Sequence, residues 1–557
     1  MSNGKYLILL ILIVRIDVLI SCNENLDCGS CVHYQYCSNN GCIPCTNDSE
    51  CDVNIPDICD ITTGYCKLKG FFDNIFDIRT ISTIIVIFIG AVIAAGGGIG
   101  GGGVFVPIFI LLLGLDAKSA AALSQATIFG GSIVNIIMNF RLYHPIRNHR
   151  PLTDFNTMLI LVPLLLAGTV CGVLLNQILP DPIIAVILMV ILIIAVYKMF
   201  KKGYNQWNKE NEIRNKQLSE ILSKDFEDEN LSNKHDKNDQ SITTSTQVFN
   251  DIEHSQDESF YTKLQQESPN KIINNNNNNN NIGLKRDNNN KTDVINSQFN
   301  AEWIEELAKR CGVDPFKLQT NLTHDKIIEL DGLIKMETSI KRPLFYTGIV
   351  WITVAVFACL RTGTFFAVET CSIEYWLFEI MVLPAMIIIT FIIARQEVNT
   401  YSRKLELNWI PCDGDIKWTK SGALIYSFVS LMSGLCGGLL GIGGGMIFGP
   451  LLFELGVLPR VASATSALAV MLSSSSSVLQ KGLLNMLQWD YMVFFMGLGV
   501  IATFIGQTLI NYAIKKYGRN SLVIFSVASI ILIAIFLMGY NTISHTDWNF
   551  HFNSPCN

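Results

Sequence analysis

Between Arg79 and Asp116 the chain carries no ionisable side chain, and the middle of that run reads AAGGGIGGGGVFVP (94–107), with seven glycines in eight residues. Two physical demands meet there. A long uncharged apolar run belongs in a bilayer, whose core takes about 20 residues of helix. Glycine at this density belongs to a flexible, water-exposed linker. As one straight helix, residues 80–115 would extend ~54 Å against a core of ~30 Å. The run therefore reads as two short arms, about 80–95 and 103–115, interrupted at the glycines.

The rest of the sequence supplies the company such a segment needs. Apolar windows of membrane-spanning length occur at roughly 119–140, 157–178, 182–200, 344–360, 374–394, 460–480, 489–512 and 521–540. A second glycine-broken run fills 421–453, uncharged between Lys420 and Glu454. Half of the 557 residues are hydrophobic, and this many spans exclude an ordinary soluble enzyme. The expected fold is an all-α polytopic membrane protein, held in the lipid bilayer of the plasma membrane or an endomembrane. The net charge of −6 has no single-sign patch, so no nucleic-acid partner is expected. No nucleophile pair, metal constellation or phosphate loop argues for an enzyme or a cofactor. Gly96, Gly98 and Gly101 fit G-x-G-x-x-G, but no βαβ unit surrounds them.

Residues 1–21 have a signal-peptide layout, with Lys5 ahead of an apolar run and cleavage expected near Ser21. Nine of the 16 cysteines then fall between Cys22 and Cys66. A signal followed by dense cysteines implies an oxidising compartment and a small disulfide-rich module over 22–70, extracellular or lumenal, able to meet a partner there. Zinc is the alternative, because Cys28-x-x-Cys31 and Cys42-x-x-Cys45 have ligand spacing. Against zinc stand the signal peptide and the lack of residues completing a standard finger. Residues 203–340 read as a mostly disordered loop: 203–300 are polar and hold the run Asn274 to Asn281, while Trp303, Ile304 and Leu307 suggest a short amphipathic helix.

An internal repeat organises the membrane part. Gly98-Ile99-Gly100-Gly101-Gly102-Gly103-Val104-Phe105-Val106-Pro107 aligns without a gap on Gly441-Ile442-Gly443-Gly444-Gly445-Met446-Ile447-Phe448-Gly449-Pro450. After one deletion, GLDAKSAAALSQA (114–126) lies over GVLPRVASATSAL (456–468), so that Ser124 meets Ser466. The expected halves are 79–202 and 421–540, with two linking transmembrane helices over 341–400 and a tail over 541–557. Lys and Arg clusters follow residues 140, 197, 340, 394 and 514 and mark cytoplasmic loops. With the cysteine module outside, parity requires two crossings in each glycine-broken run. Twelve crossings result, leaving Lys118, Arg361 and Lys481 as the exceptions to the charge rule. The first glycine segment then starts outside and the second starts in the cytoplasm. The halves are two inverted-topology repeats with glycine-broken helices, the architecture of many secondary transporters.

GIGGGGVFVP, LDAKSAAALSQATIFGG (115–131), NFRLYHP (139–145) and GLLGIGGGMIFGPLLFELGVLPRVASATSA (438–467) together resemble the sulfite exporter TauE/SafE family, in its plant-like eukaryotic branch. The resemblance spans about 75–200 and 340–540. It implies a permease for a small inorganic or organic sulfur anion, such as sulfite or an organosulfonate, with the coupling ion left open. Broken helices in such carriers aim backbone N–H groups at an anion near the midplane. The candidate substrate-binding residues are Gly98, Gly100, Gly101, Gly102, Ser124 and Gln125 in the first half, and Gly441, Gly443, Gly444, Gly445, Thr465 and Ser466 in the second. Each has a competing packing role: small residues let helices approach, and Ser or Thr bond neighbouring helices. Ser473 to Ser477, Asn135 and Asn139 can line a path or merely pack. Glu454 reads as an interfacial carboxylate, and Arg141 with His144 as a structured turn. A channel-like conduit is open as well, as is a receptor or adhesion-type protein whose cysteine module binds an extracellular partner. Matched glycine breaks favour transport, since a scaffold has no need of them.

Topology is directly testable. Asn47, in Asn-Asp-Ser, is expected to carry glycan, while the sequons at Asn230 and Asn321 stay bare. Glycosidase-sensitive mobility of single-sequon variants reads this, and glycan in an acceptor placed in the 141–150 loop contradicts the two-crossing arrangement.

Overall fold

A computed structural model describes four short strands between residues 36 and 68, then residues 70–97, 101–144, 150–232, 324–363 and 372–545. Within the last range, 408, 410, 412–413, 485, 487–488 and 518–520 are excepted. The chain divides into two compact units. The smaller, built on Met1–Phe76 with Asp547–His551, holds two antiparallel hairpins. β1 (Tyr36–Ser38) pairs with β2 (Gly41–Ile43), and β3 (Asp57–Asp60) with β4 (Tyr65–Leu68). Their registers set Cys37 opposite Cys42 and Cys59 opposite Cys66. The expected signal peptide, and the side chains that would decide between disulfide and zinc, lie outside the described residues. A single turn, α1 (Phe71–Asn74), completes the described part.

The larger unit is helical. In chain order its elements are α2 (Ile78–Gly97), α3 (Gly102–Ile108) running into a π turn (Phe109–Leu113), α4 (Ala117–Asn139), α5 (Phe155–Ile178) and α6 (Asp181–Ser232). Next come α7 (His324–Thr338), α8 (Lys341–Arg361) and α9 (Ile373–Glu406). The last are α10 (Lys420–Leu440), α11 (Gly445–Glu454), α12 (Pro459–Leu483), α13 (Trp489–Tyr517) and α14 (Ser521–His545). Among the described residues, nine helices are long and apolar enough to cross a membrane, and Gly102–Leu113 and Val527–Tyr540 are shorter apolar helices. Each expected window holds a helix that starts close to its bound, and all but α6 and α9, which run on past theirs, end close to it, because uncharged stretches separated by charged or glycine-containing turns leave little choice. Side-chain caps fix several starts: Asp116, Asp154, Ser372 and Thr419 each accept from a backbone N–H of the first turn, a contact worth ~1 kcal/mol apiece.

Helix packing relates the two halves element by element. α5 lies on α10 as α13 lies on α2, and α4 lies on α13 as α12 lies on α5. α4 and α12 pack on each other, and so do α6 and α14. Glycine makes the tightest of these contacts possible. On α5, a Cβ at Gly168 would fall 2.0 Å from Leu431 O, and one at Gly172 2.3 Å from Leu435 O. On α10, a Cβ at Gly434 would fall 1.9 Å from Leu165 O, and one at Gly438 2.4 Å from Thr169 O. Two small-x-x-x-small stripes therefore face each other, letting backbones approach without intervening side chains. Ser430 adds a hydrogen bond from its Oγ to Leu161 O at 2.8 Å. The α4–α13 seam repeats the device, with Gly130 against Met496 O and Gly499 against Thr127 O.

Two features depart from the simple layout. The helix expected to end near residue 202 continues to Ser232. Past the apolar stretch it is held by α14: Gly203 lies under Phe525, and Glu210 accepts from Ser521 N at 3.2 Å and Ser521 Oγ at 2.5 Å. The tripled residues Trp303, Ile304 and Leu307 lie outside the described residues, while α7 follows them and docks on α9. Arg403 of α9 binds both carboxylate oxygens of Glu329 at 2.8 and 3.0 Å, and this holds the Glu329 carboxyl below its usual range.

The glycine seam sets a stability expectation. Gly434→Val drives a side chain into Leu165 O and should lower unfolding stability by about 1–3 kcal/mol. Gly449→Ala, in α11 with nothing within 4 Å of its Cβ position, should hold or raise it. Thermal unfolding of the detergent-solubilised protein checks both.

Candidate functional site

Helix α10 ends because Gly441 turns left-handed, with φ at 72°, and Gly443 does the same at 65°. Helix α3 starts from the matching conformation, with Gly101 at φ 71°. Such backbone favours glycine, since an L side chain there is strained. Space forbids a side chain as well. A Cβ at Gly441 would lie 2.4 Å from Ala121 Cα, and one at Gly101 would lie 2.7 Å from Phe105 Cζ.

The two breaks touch. A Cβ at Gly102 would fall 2.1 Å from Ile442 O, so the first break lies backbone-to-backbone on the second. One position on, a Cβ at Gly103 would fall 2.4 Å from Met446 Cε. Gly444 sits beside Leu165 and Ser433, and Gly443 beside Ile128 and Val470. The first-turn N–H groups of α11, which begins at Gly445, point back toward this junction, as the geometry of any helix start requires. Gly98 and Gly100 lie outside the described residues.

Side chains bond the carbonyls around the second break, of which Gly437 O and Gly444 O also accept from the backbone N–H groups of Gly441 and Phe448. Ser124 Oγ donates to Gly441 O at 2.8 Å, and Gln125 Nε2 to Gly437 O at 2.6 Å. Asn176 Nδ2 donates to Leu439 O at 2.6 Å, and Ser433 Oγ to Gly444 O at 2.6 Å. At the first break Gln507 Nε2 donates to Ala95 O at 2.9 Å and to Asn135 Oδ1 at 2.8 Å. Asn176 on α5 and Gln507 on α13 thus serve equivalent helix ends from equivalent helices. Sequence reading passed over both, because a lone amide in an apolar helix carries no local signal of what it faces.

Other candidates sit elsewhere. Thr465 Oγ1 accepts from Asp154 N at 3.0 Å, at the start of α5 and not at the junction. Ser466 is buried and donates to Ser463 O in its own helix. In the serine run, Ser473, Ser474 and Ser475 donate to carbonyls one turn back, and Ser475 also accepts from Trp351 Nε1. Glu454 is exposed at the end of α11. The Arg141–His144 segment makes a turn: His144 N donates to Arg150 O and Leu152 N to Leu142 O, with Arg150 paired to Asp415 at 2.7 Å.

Apart from the junction, a buried charged cluster joins the linking helices to the first half. Arg361, 3% exposed, donates to Glu379 Oε2 at 3.0 Å, to Gln177 Oε1 at 2.9 Å and to the Tyr375 hydroxyl. Its guanidinium also lies over the Tyr375 ring, 4.7 Å from the centroid. Lys118 Nζ donates to Gln177 O at 3.0 Å, so two of the three charge-rule exceptions converge on one glutamine. Arg361 Nε and Glu379 Oε1 have no partner among the described residues, so the pair rests on the remaining donors and acceptors of the cluster. Arg361→Met, which strands Glu379, should cost about 3–5 kcal/mol of stability, and Arg361→Met with Glu379→Met should recover most of it. Chemical or thermal unfolding of the two variants reads the difference.

Known proteins resemble this chain along the same lines. The family described as "Sulfite exporter TauE/SafE" matches residues 82–223 and 426–551, one stretch in each half. Sulfite exporter TauE/SafE family protein 3 of Arabidopsis thaliana is 29% identical over 452 residues, covering 81% of this chain and 76% of its own. Family protein 5 is 25% identical over 460 residues, covering 81% and 80%, and family protein 2 is 25% identical over 490 residues, covering 86% and 87%. No solved structure matches. An integral, multi-pass helical membrane protein with a family match in both halves, this chain belongs to the sulfite exporter TauE/SafE family of membrane transporters.

Proposed function

We propose that the protein is a secondary transporter of small sulfur oxyanions or organosulfonates, with its substrate site at the junction of the two glycine breaks. The observation that carries this reading is the backbone contact of Gly102 with Ile442. Two broken helices meeting inside a bundle present helix starts and bare backbone at one place, which suits an anion that must bind without being trapped. The names of the relatives support sulfite as the first anion to try.

The site consists of Gly101, Gly102, Gly441 and Gly443 to Gly445, and the sequence motif adds Gly98 and Gly100, which lie outside the described residues. Ser124 and Gln125 brace it from α4, and Ser466 stands at the position matching Ser124. Thr465 belongs to the packing of α12 on the start of α5. The reciprocal helix pairings support two inverted repeats, twelve crossings, and a first break entered from outside with a second entered from the cytoplasm. The cysteine-rich segment lies on the outer side in this arrangement.

Sulfite uptake into proteoliposomes tests the reading, with wild type compared to Gly444→Ala. A Cβ at Gly444 would lie 3.2 Å from Leu165 Cδ1 and 3.4 Å from Ser433 Oγ, so the variant should fold. Flux is expected to fall about tenfold, equivalent to ~1.4 kcal/mol. Wild-type liposomes that move neither sulfite nor an organosulfonate overturn the transport reading, and equal flux in the two proteins overturns the site.

A further inference from the structure

The third charge-rule exception, Lys481, has no such company. It is 0% exposed, and its ammonium has no hydrogen-bond partner among the described residues. One turn earlier on the same helical face stands Ser477, likewise 0% exposed and with an unpartnered hydroxyl. Both belong to α12, which packs on α4.

The direction of that face is fixed at two levels. Ile128 of α4 and Val470 of α12 both meet the Cβ position of Gly443, at 3.4 and 3.8 Å. At the other end Ser119 Oγ lies 3.5 Å from Met486 O. The helices therefore run antiparallel, and the stripe Val470, Ser474, Ser477, Lys481 leads along α12 away from the second glycine break. At ~1.5 Å per residue, Lys481 stands ~17 Å along the helix from the level of Val470. At the same end of the seam Asp116 caps α4, accepting from Ser119 N at 3.1 Å.

A buried ammonium without hydrogen bonds is costly, and is retained where a ligand completes it. An ammonium and a hydroxyl one turn apart offer donors at one spot, which is chemistry for the oxygens of an anion. We propose that Lys481 and Ser477 form an anion-binding station at the end of the α4–α12 seam remote from the glycine junction, holding a small oxyanion on its way to or from that junction. The inference rests on the transport reading and adds a fixed cation to a path otherwise made of backbone and hydroxyls. The ammonium supplies attraction at the mouth, and the uncharged junction beyond it lets the anion pass on.

The test is sulfite binding to the purified full-length protein, measured by calorimetry, with melting temperature recorded without anion. Lys481→Gln should weaken binding about tenfold or more, Lys481→Arg should retain most of it, and Ser477→Ala should weaken it less than Lys481→Gln. The anion-free melting temperature of Lys481→Gln should hold or rise, since no hydrogen bond is lost. Wild-type affinity in Lys481→Gln overturns the station while leaving transport intact. Should Lys481→Gln fail to fold, Ser477→Ala decides, and an unchanged affinity there overturns the station. A wild-type protein that binds neither sulfite nor an organosulfonate overturns the station and the transport reading together.

Discussion

Backbone must touch backbone at the centre of this bundle, and every other feature accommodates that contact. Gly102 rests on the peptide of Ile442, and a single methyl group there would fall 2.1 Å from a carbonyl oxygen. Holding two interrupted helices this close requires their supporting helices to close in as well. The facing stripes Gly168/Gly172 and Gly434/Gly438 do this on α5 and α10, and Gly130 with Gly499 does it on α4 and α13. In a bilayer the apolar effect does not drive helices together, so close van der Waals contact and interhelical hydrogen bonds carry the association.

An interruption also exposes carbonyls that lipid cannot satisfy. The amides of Asn176 and Gln507 and the hydroxyl of Ser124 meet that need, while Gln125 and Ser433 add second bonds to Gly437 O and Gly444 O. These side chains explain how a glycine-rich break stays ordered inside an apolar bundle. They also differ from the groups further along α12. Each side chain that braces the junction donates a hydrogen bond, although Gln125 Oε1 and Asn176 Oδ1 accept none, whereas the Ser477 hydroxyl and the Lys481 ammonium have no partner among the described residues.

Much of this was legible in the sequence. Hydropathy gives helix positions because a span has one viable backbone, and a glycine cluster in an uncharged run marks where that backbone must bend. The gapless match of 98–107 to 441–450 pairs the two breaks in the sequence itself. What stayed hidden depends on contacts across long separations. Asn176 serves Leu439 from 263 positions away, and Gln507 serves Ala95 from 412 positions away. Thr465 aligned with the junction by motif yet turned to Asp154, because a helix presents its faces to several neighbours at once. The continuation of α6 past residue 202 brings Glu210 to Ser521, a tertiary contact in sequence that is too polar to announce a core. Charge parity did flag Lys118, Arg361 and Lys481, and all three are buried.

The central claim is that the two glycine breaks lie against each other, and cross-linking measures it most directly. Gly103 and Met446 face each other one position beyond the contact, with the Gly103 Cβ position 2.4 Å from Met446 Cε. In a background lacking the seven cysteines outside 22–66 (Cys171, Cys311, Cys359, Cys371, Cys412, Cys436 and Cys556), cysteines at 103 and 446 should be joined by a short bis-methanethiosulfonate reagent in the intact membrane protein. A protease site placed between residues 233 and 323 then leaves the two halves linked on a non-reducing gel. Halves that separate after treatment, while both cysteines still react with a monofunctional reagent, would contradict the account.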